Sequence, residues 1–202
     1  MKRLLGVALV AMLLAGCSDG GVNIASDGGV GPDSNVTCAV VPSYGDVGTI
    51  PAAISAAIRL DDVNGEAKSI TYIAALNDDQ DQVVIQLYRG FSVFTAGTIQ
   101  PGSYEIKGEE LNYASCGVCV RMFADRLNGG GHPLQDMMAT GGTLVVTTVG
   151  AADSGVFQAE LKNASFEHVN IDGMSFESTP IGDGCGTEIS HLAADVPMAG
   201  AP

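Results

Sequence analysis

Short runs in which apolar and polar residues alternate recur along the chain, and clusters of Gly, Asn, Asp and Pro separate them. Residues 52–60 and 70–76 alternate in this way around an Asn-Gly turn, which predicts a β-hairpin. A short helix is the alternative for the first run, because Pro51 is tolerated in a first helical turn and isoleucines four residues apart follow it. The run TLVVTTV at 143–149 is rich in β-branched residues, which are typical of strands.

The remaining alternating or apolar runs are also predicted to be short strands; they cover 83–87, 91–94, 104–106, 118–123, 134–139, 155–161, 166–171, 175–176 and 185–192. Many short strands between turn clusters indicate an all-β domain. We therefore predict an antiparallel β-sandwich of the jelly-roll or immunoglobulin-like type across residues 37–193. Residues 194–202 are expected to form a loose C-terminal tail.

The first residues have the pattern of an export signal. Lys2 and Arg3 precede an uncharged run at 4–14, which is too short to span a bilayer. The sequence Leu-Ala-Gly-Cys at 14–17 follows and resembles the lipobox of bacterial lipoproteins. The resemblance implies that residues 1–16 are a signal peptide and that acyl chains are attached to Cys17. Several acyl chains on one residue anchor a domain firmly to a membrane.

The segment at 17–36 is composed mainly of Gly, Asp, Ser and Asn, and SDGG occurs in it twice. Such a composition buries too little apolar surface to fold, so we expect a flexible tether. By resemblance to enterobacterial lipoproteins, Ser18 after the lipidated cysteine implies the outer membrane rather than the inner one. The expected location is the cell envelope, either periplasmic or surface-exposed.

Three further segments are similar to predicted lipoproteins of environmental Gram-negative bacteria; they are NYASCGVCV at 112–120, GGTLVVTT at 141–148 and GVFQAELKNASFEHV at 155–169. This similarity implies a location in the cell envelope and does not imply an activity.

The charge of the chain limits its partners. The formal net charge is −14 at pH 7. A surface this acidic repels nucleic acid and anionic lipid headgroups, so we do not expect nucleic-acid binding. The charge is compatible with solubility, with divalent cations or with a basic partner.

Four cysteines remain besides Cys17, and an even number in an exported chain favours two disulfides. We expect Cys116 to pair with Cys119 and Cys38 with Cys185. Crossed pairing is an alternative, since four cysteines allow three connectivities. The same thiols are also compatible with a zinc site, with or without His132, and the Cys-x-x-Cys sequence with a thioredoxin-like redox pair.

Two acidic turns are candidate calcium sites, because carboxylate and amide oxygens are the ligands that Ca²⁺ prefers. The candidate ligands are Asp61, Asp62, Asn64 and Glu66 in the first turn and Asn77, Asp79 and Asp81 in the second. Neither turn matches the EF-hand pattern, and solvated turns are the alternative. No other cofactor is expected.

The sequence contains no nucleophile elbow, Walker loop, dinucleotide fingerprint or zinc-protease motif. We therefore predict a non-catalytic envelope lipoprotein that binds a protein or glycan partner through exposed aromatic residues such as Tyr88, Phe91 or Phe94. One alternative is an enzyme that acts on an envelope polymer, which requires a cleft with converging carboxylates or a histidine. Another is a structural or accessory subunit of an export, motility or adhesion complex.

Overall fold

The computed structural model describes residues 37–76, 80–125 and 133–201. They form ten strands and two short 3₁₀ turns, so the predicted all-β class is confirmed. The strands are β1 (Gly45–Thr49), β2 (Ser55–Asp61), β3 (Ala67–Leu76), β4 (Asp81–Tyr88), β5 (Gly102–Glu105), β6 (Val118–Ala124), β7 (Gln135–Val149), β8 (Val156–Ile171), β9 (Ser178–Pro180) and β10 (Gly186–Gly200).

All ten strands belong to one sheet, and the sheet closes on itself. Its order runs β10, β2, β3, β4, β6, β7 and β8, and β8 pairs again with β10 along Gly186–Pro197. Closure leaves few unpaired strand edges, which are sites of aggregation in open sheets. Strands β1, β5 and β9 lie beside the closed part, on β10, β7 and β8 respectively.

The sheet is mixed rather than purely antiparallel, which corrects the sequence-based expectation. β10 runs parallel to both β1 and β2, whereas the other pairs are antiparallel. Two strands share one edge of β10. β1 pairs with its residues 189–193, and β2 pairs with its residues 198–200. A long chain segment between the first and last strands makes this parallel pairing possible.

Alternation along the strands places the main core inside the closed sheet. In β3 the side chains of Ile70, Tyr72 and Ala74 are fully buried, while the residues between them are half-buried on the outer face. The rings of Tyr72 and Phe157 lie 5.9 Å apart, although β3 and β8 are not hydrogen-bonded neighbours. The core is therefore filled by side chains that meet across the interior.

The hairpin predicted around the Asn-Gly turn is confirmed as β2 and β3, and the helical alternative for residues 52–60 is wrong. The predicted strand at 91–94 is also wrong. Ser92–Phe94 forms a 3₁₀ turn, and Ser92 has a φ of +36°, which interrupts an extended backbone. Residues 175–176 belong to a turn, and the strand begins two residues later at Ser178.

Several predicted strands are continuous. The predicted strands at 134–139 and 143–149 are joined in β7, which begins at Gln135, and those at 155–161 and 166–171 are joined in β8, which begins at Val156. The expected tail at 194–202 is corrected as well, because β10 continues to Gly200. Its last residues pair first with β8 and then, from Met198, with β2.

The predicted signal peptide at 1–16, the lipidation site Cys17 and the tether at 17–36 lie outside the described residues. The same holds for Asn77, Asp79 and His132.

Candidate functional site

A second apolar cluster lies on the outer face of the sheet. β6 is buried on both faces, because Val118, Val120 and Met122 point into the main core while Cys119 and Arg121 point outward and are also covered. The outer cluster contains Cys116, Cys119, Met138 and Val169, with Tyr88, Tyr113 and Ile171 packed against it. The outer face of the sheet, which is half-buried or exposed along β3, is therefore covered by apolar side chains at β6.

Three chain segments form a pocket above this cluster; we refer to it as the aromatic pocket. Its volume is about 230 Å³, and its lining consists of Tyr88, Phe91, Tyr113, Ala114, Cys116 and Phe176. Tyr88 ends β4, Tyr113 follows the 3₁₀ turn Gly108–Leu111, and Phe176 lies in the turn between β8 and β9. Phe91 is 47% exposed and Phe176 is 53% exposed, so both rings remain open to solvent.

The four rings form two edge-to-face pairs. The centroids of Tyr88 and Phe91 lie 6.3 Å apart at an interplanar angle of 67°. The centroids of Tyr113 and Phe176 lie 6.3 Å apart at 73°. In pairs of this kind the edge of one ring points towards the face of the other.

Hydroxyl groups join the two pairs. The hydroxyl oxygens of Tyr88 and Tyr113 lie 3.4 Å apart, and Gln86 Nε2 donates to the Tyr88 hydroxyl at 2.8 Å. Burial and the contact with Tyr113 raise the pKa of Tyr88 above its usual value. Like any tyrosine phenol, it is neutral at physiological pH and keeps its donor proton.

The backbone is strained at two places beside the pocket. Ser92, next to Phe91, and Phe176 itself have φ values of +36° and +61°. Such values are unfavourable for residues with a side chain, and strain of this kind concentrates at ligand sites. The turn that carries Phe176 is fixed by Asp172, whose Oδ1 accepts from the backbone N–H groups of Met174 at 2.9 Å and Ser175 at 2.7 Å.

Arg121 supports the pocket from behind. Its guanidinium carbon lies 4.4 Å from the ring centroid of Tyr113 and 4.8 Å from that of Phe123. Nη2 donates to Asp136 Oδ1 at 2.6 Å, which neutralises the buried charge. The side chain therefore orients Tyr113 by a cation–π contact without adding net charge to the site.

Both expected cysteine pairs are at disulfide distance, with Cα atoms 5.3 Å apart in each. The pair Cys116–Cys119 borders the aromatic pocket, and Cys38–Cys185 ties the chain before β1 to the start of β10. Gly117 lies between the first pair, and a methyl group on it would be 2.5 Å from the carbonyl oxygen of Phe91. The Cys-x-x-Cys loop therefore packs directly against the backbone of a pocket wall.

The first acidic turn is held by arginines. Arg89 donates to Asp62 Oδ2 at 2.6 Å and to Glu66 Oε2 at 2.7 Å, and Arg59 donates to Asp61 at 2.5 Å. The hydrogen bond from Arg89, with those from two backbone N–H groups of the turn, lowers the pKa of Asp62 to about 2. The carboxylates proposed for calcium therefore already have cationic partners.

Of the second acidic turn, only Asp81 is described among the candidate ligands. It is buried and accepts hydrogen bonds from the Tyr44 hydroxyl and from the backbone N–H of Asp125. In the first turn, the backbone N–H of Asn64 donates to Asp62 Oδ1 at 2.8 Å. Within the described ranges, the structure brings no three His, Cys, Asp or Glu side chains together in an arrangement suited to a metal ion.

Of the three exposed aromatic residues proposed from the sequence, Tyr88 and Phe91 line the pocket. Phe94 does not, because it is 2% exposed and packs in the core against Tyr104 at 5.1 Å. Sequence reasoning missed Tyr113 and Phe176, which reach the pocket only through long-range packing. In residues 37–76, 80–125 and 133–201, no helix is long and apolar enough to cross a membrane.

Comparisons with protein-family models, with curated proteins and with solved structures give no significant match for this chain.

Proposed function

We propose that the protein is a lipid-anchored, non-catalytic binding protein of the cell envelope. The N-terminal pattern supports the anchor, because a basic start, an apolar run and a Leu-Ala-Gly-Cys sequence follow one another in the order of a lipoprotein signal. In this proposal acyl chains on Cys17 hold the protein at the membrane, most simply the outer membrane, and residues 17–36 separate the β-domain from the lipid.

The aromatic pocket is the proposed binding site, and its four rings are the observation that carries the proposal. Tyrosine and phenylalanine are enriched at the centres of protein interfaces, because they bury large areas at low entropic cost. Two of the rings are about half exposed, which is costly for apolar side chains that have no partner. A partner that covers Phe91 and Phe176 removes this cost.

Binding is better supported than catalysis by the chemistry of the pocket. The lining offers ring faces, two phenol hydroxyls and a cysteine that is paired with Cys119. These groups stack and donate hydrogen bonds, whereas hydrolysis of an envelope polymer needs a pair of carboxylates or a nucleophile with a base. An enzyme and an accessory subunit remain as the competing functions.

The proposed partner is a protein or a glycan of the envelope, and exposed pocket residues give the test. Phe91→Ala with Phe176→Ala should abolish retention of the partner on the immobilised protein. Met174→Ala is the matched control, since Met174 is 92% exposed in the same turn as Phe176 and does not line the pocket. Retention that is unchanged in the double variant would contradict this function.

The anchor has a separate test. Cells that express Cys17→Ser should lose the protein from the membrane fraction, and labelled palmitate should no longer be incorporated. Ser18→Ala, one residue later, should behave like wild type. Identical fractionation of Cys17→Ser and wild type would contradict the anchor and leave the binding proposal standing.

The closed sheet is proposed to be flattened into two layers, as in jelly-roll or immunoglobulin-like sandwiches. β7 has register shifts at Ala139–Gly141, Gly141–Thr143 and Val146–Thr148, and such bulges bend strands where they pass from one layer to the other. Its first part pairs with β6 and its later part with β5. The contact between Tyr72 and Phe157 across the interior fits two facing layers.

A further inference from the structure

We propose that the aromatic pocket binds a quaternary ammonium group, such as the trimethylammonium group of choline. The inference rests on the proposed binding function and adds the chemistry of the ligand. Three observations support the proposal: the arrangement of the four rings, the apolar lining between them and the charges on the segments that form the pocket.

The ring geometry favours a compact cation. The faces of aromatic rings are electron-rich, and several faces around one cavity stabilise a cation without hydrogen bonds. Tyr88 and Phe91, and likewise Tyr113 and Phe176, are inclined at 67° and 73°, so the four rings face different directions rather than stacking. The cavity of about 230 Å³ is smaller than the ~300–1,000 Å³ typical of pockets for drug-sized ligands, which suits a small head group.

The polar groups of the pocket are too few for a sugar ring. The Tyr88 hydroxyl already contacts the Tyr113 hydroxyl and accepts from Gln86. The rest of the lining consists of Phe91, Phe176, Ala114 and the disulfide-bonded Cys116. A sugar would bury several hydroxyl groups without partners, at a cost for each, whereas a tetraalkylammonium group has no N–H or O–H to satisfy.

The charge around the opening is complementary to a cation. The segments at 89–98, 108–116 and 172–177, all of them described, supply residues of the pocket lining and carry the exposed acidic residues Glu109, Asp172 and Glu177. Glu110 is buried, and its Oε2 accepts from the backbone N–H of Val118. The one cation in these three segments, Arg89, is paired with Asp62 and Glu66. Because the whole chain also has a net charge of −14, long-range attraction favours a positive ligand.

Arg121 is a cation in contact with one of the four rings, and its charge opposes a cationic ligand. It lies outside the lining of the pocket, and its ion pair with Asp136 at 2.6 Å cancels its charge locally. Its contact with Tyr113 at 4.4 Å also demonstrates that this ring accommodates a cation on a face. Phe91 and Phe176, which are 47% and 53% exposed, remain open to an external ammonium group.

Binding of choline to the full chain, compared with binding of 3,3-dimethyl-1-butanol, tests the inference. The two ligands have the same shape, and only choline is charged. The chain contains five tyrosines and no tryptophan, so tyrosine fluorescence can follow the titration, with calorimetry as the second readout. A peptide with trimethyllysine and its neutral tert-butyl analogue form the second arm, which distinguishes a free ligand from a group displayed on a protein.

The expected result is that choline, the trimethyllysine peptide or both bind at least about tenfold more tightly than the matched neutral compound. Phe176→Leu and Phe91→Leu should each reduce the affinity for the cation several-fold while they keep an apolar wall. Met174→Ala and Val93→Ala, which alter exposed neighbours outside the lining, should leave it unchanged. The double variant Glu109→Gln with Glu177→Gln should lower the affinity for the cation and leave the affinity for the neutral compound unchanged.

Equal affinities for the cation and its neutral isostere would overturn the inference, and so would a pocket that takes only oligosaccharides. In both cases the pocket still binds a ligand, so the proposed binding function is not contradicted. If none of these ligands binds and Phe91→Ala with Phe176→Ala retains the cellular partner, both the inference and the proposed function fail.

Discussion

The hydroxyl oxygens of Tyr88 and Tyr113 lie 3.4 Å apart and connect the two edge-to-face pairs of the aromatic pocket. Tyr88 is held more firmly, because it also accepts from Gln86 Nε2 at 2.8 Å. A contact at 3.4 Å is at the long limit for a hydrogen bond and contributes little by itself. The position of the Tyr113 ring therefore depends mainly on Arg121 and on packing.

Removal of the two hydroxyls should have unequal effects. Tyr88→Phe removes the acceptor of the Gln86 amide and should cost about 1 kcal/mol of unfolding free energy. Tyr113→Phe loses only the long contact and should cost less than about 0.5 kcal/mol. Urea unfolding of the two variants checks this, and equal losses would contradict the geometry of the hydroxyl pair.

Gly117→Ala should damage both stability and binding. The added methyl group would lie 2.5 Å from the Phe91 carbonyl oxygen and 3.2 Å from its carbonyl carbon, so the backbone of a pocket wall must move. We expect a loss of about 1–3 kcal/mol on unfolding and weaker ligand binding. Gly97→Ala is the control, because a methyl group there meets nothing within 4 Å and should change stability by less than ~0.5 kcal/mol.

The two disulfides should differ in their effect on stability. Cys38 and Cys185 are separated by 147 residues, and the loss of chain entropy gives an upper value of about 5 kcal/mol for such a loop. For Cys116 and Cys119, which are three residues apart, the same loss of chain entropy gives a stabilisation of ~2 kcal/mol. Unfolding of the two double Cys→Ala variants should therefore rank Cys38/Cys185 as the more damaging pair, and the reverse ranking would contradict the dependence on loop length.

The pairing of Asp62 with Arg89 predicts a pH dependence. The folded pKa of Asp62 is about 2, below the usual value of 3.8 for this carboxyl. A carboxyl with a lowered folded pKa stabilises the fold above its unfolded pKa, and this stabilisation is lost as the pH falls from about 4 to about 2. Asp62→Asn keeps an oxygen that accepts from the backbone of the turn but removes the charge.

Wild type should therefore be more stable than Asp62→Asn at pH 7, and the difference should shrink towards pH 2. Unfolding curves at a series of pH values measure it. A difference that stays constant over this range would show that the ion pair with Arg89 is not its source.

Much of the secondary structure could be predicted from local patterns in the sequence. The alternation on both sides of the Asn-Gly turn sufficed for the β2–β3 hairpin, because register and turn chemistry agree there. The prediction of a loose tail for the last part of β10 is wrong, although Pro197 and Gly200 are residue types that often interrupt strands. Its burial pattern nevertheless alternates, with Ala194, Val196 and Met198 buried, and Pro197 is the last residue that pairs with β8.

The closure of the sheet and half of the pocket depended on contacts that no local pattern encodes. Tyr88 and Phe91 are near in sequence and were identified as exposed aromatics. Tyr113 and Phe176 come from separate turns, and Phe176 adopts a φ of +61° that its residue type does not favour. The cluster Asn-Tyr-Ala-Ser-Cys at 112–116, an aromatic residue beside a paired cysteine, was the only local signal for the third ring.

NMR of the tyrosine rings during titration with choline, the trimethyllysine peptide and envelope glycans shows whether the aromatic pocket is the ligand site. The chain has five tyrosines, so their ring signals can be assigned individually. We expect the signals of Tyr88 and Tyr113 to shift on binding, while that of Tyr72, which is fully buried in the core, stays unchanged. A ligand that binds and shifts other tyrosines, with Tyr88 and Tyr113 unaffected, would contradict this expectation.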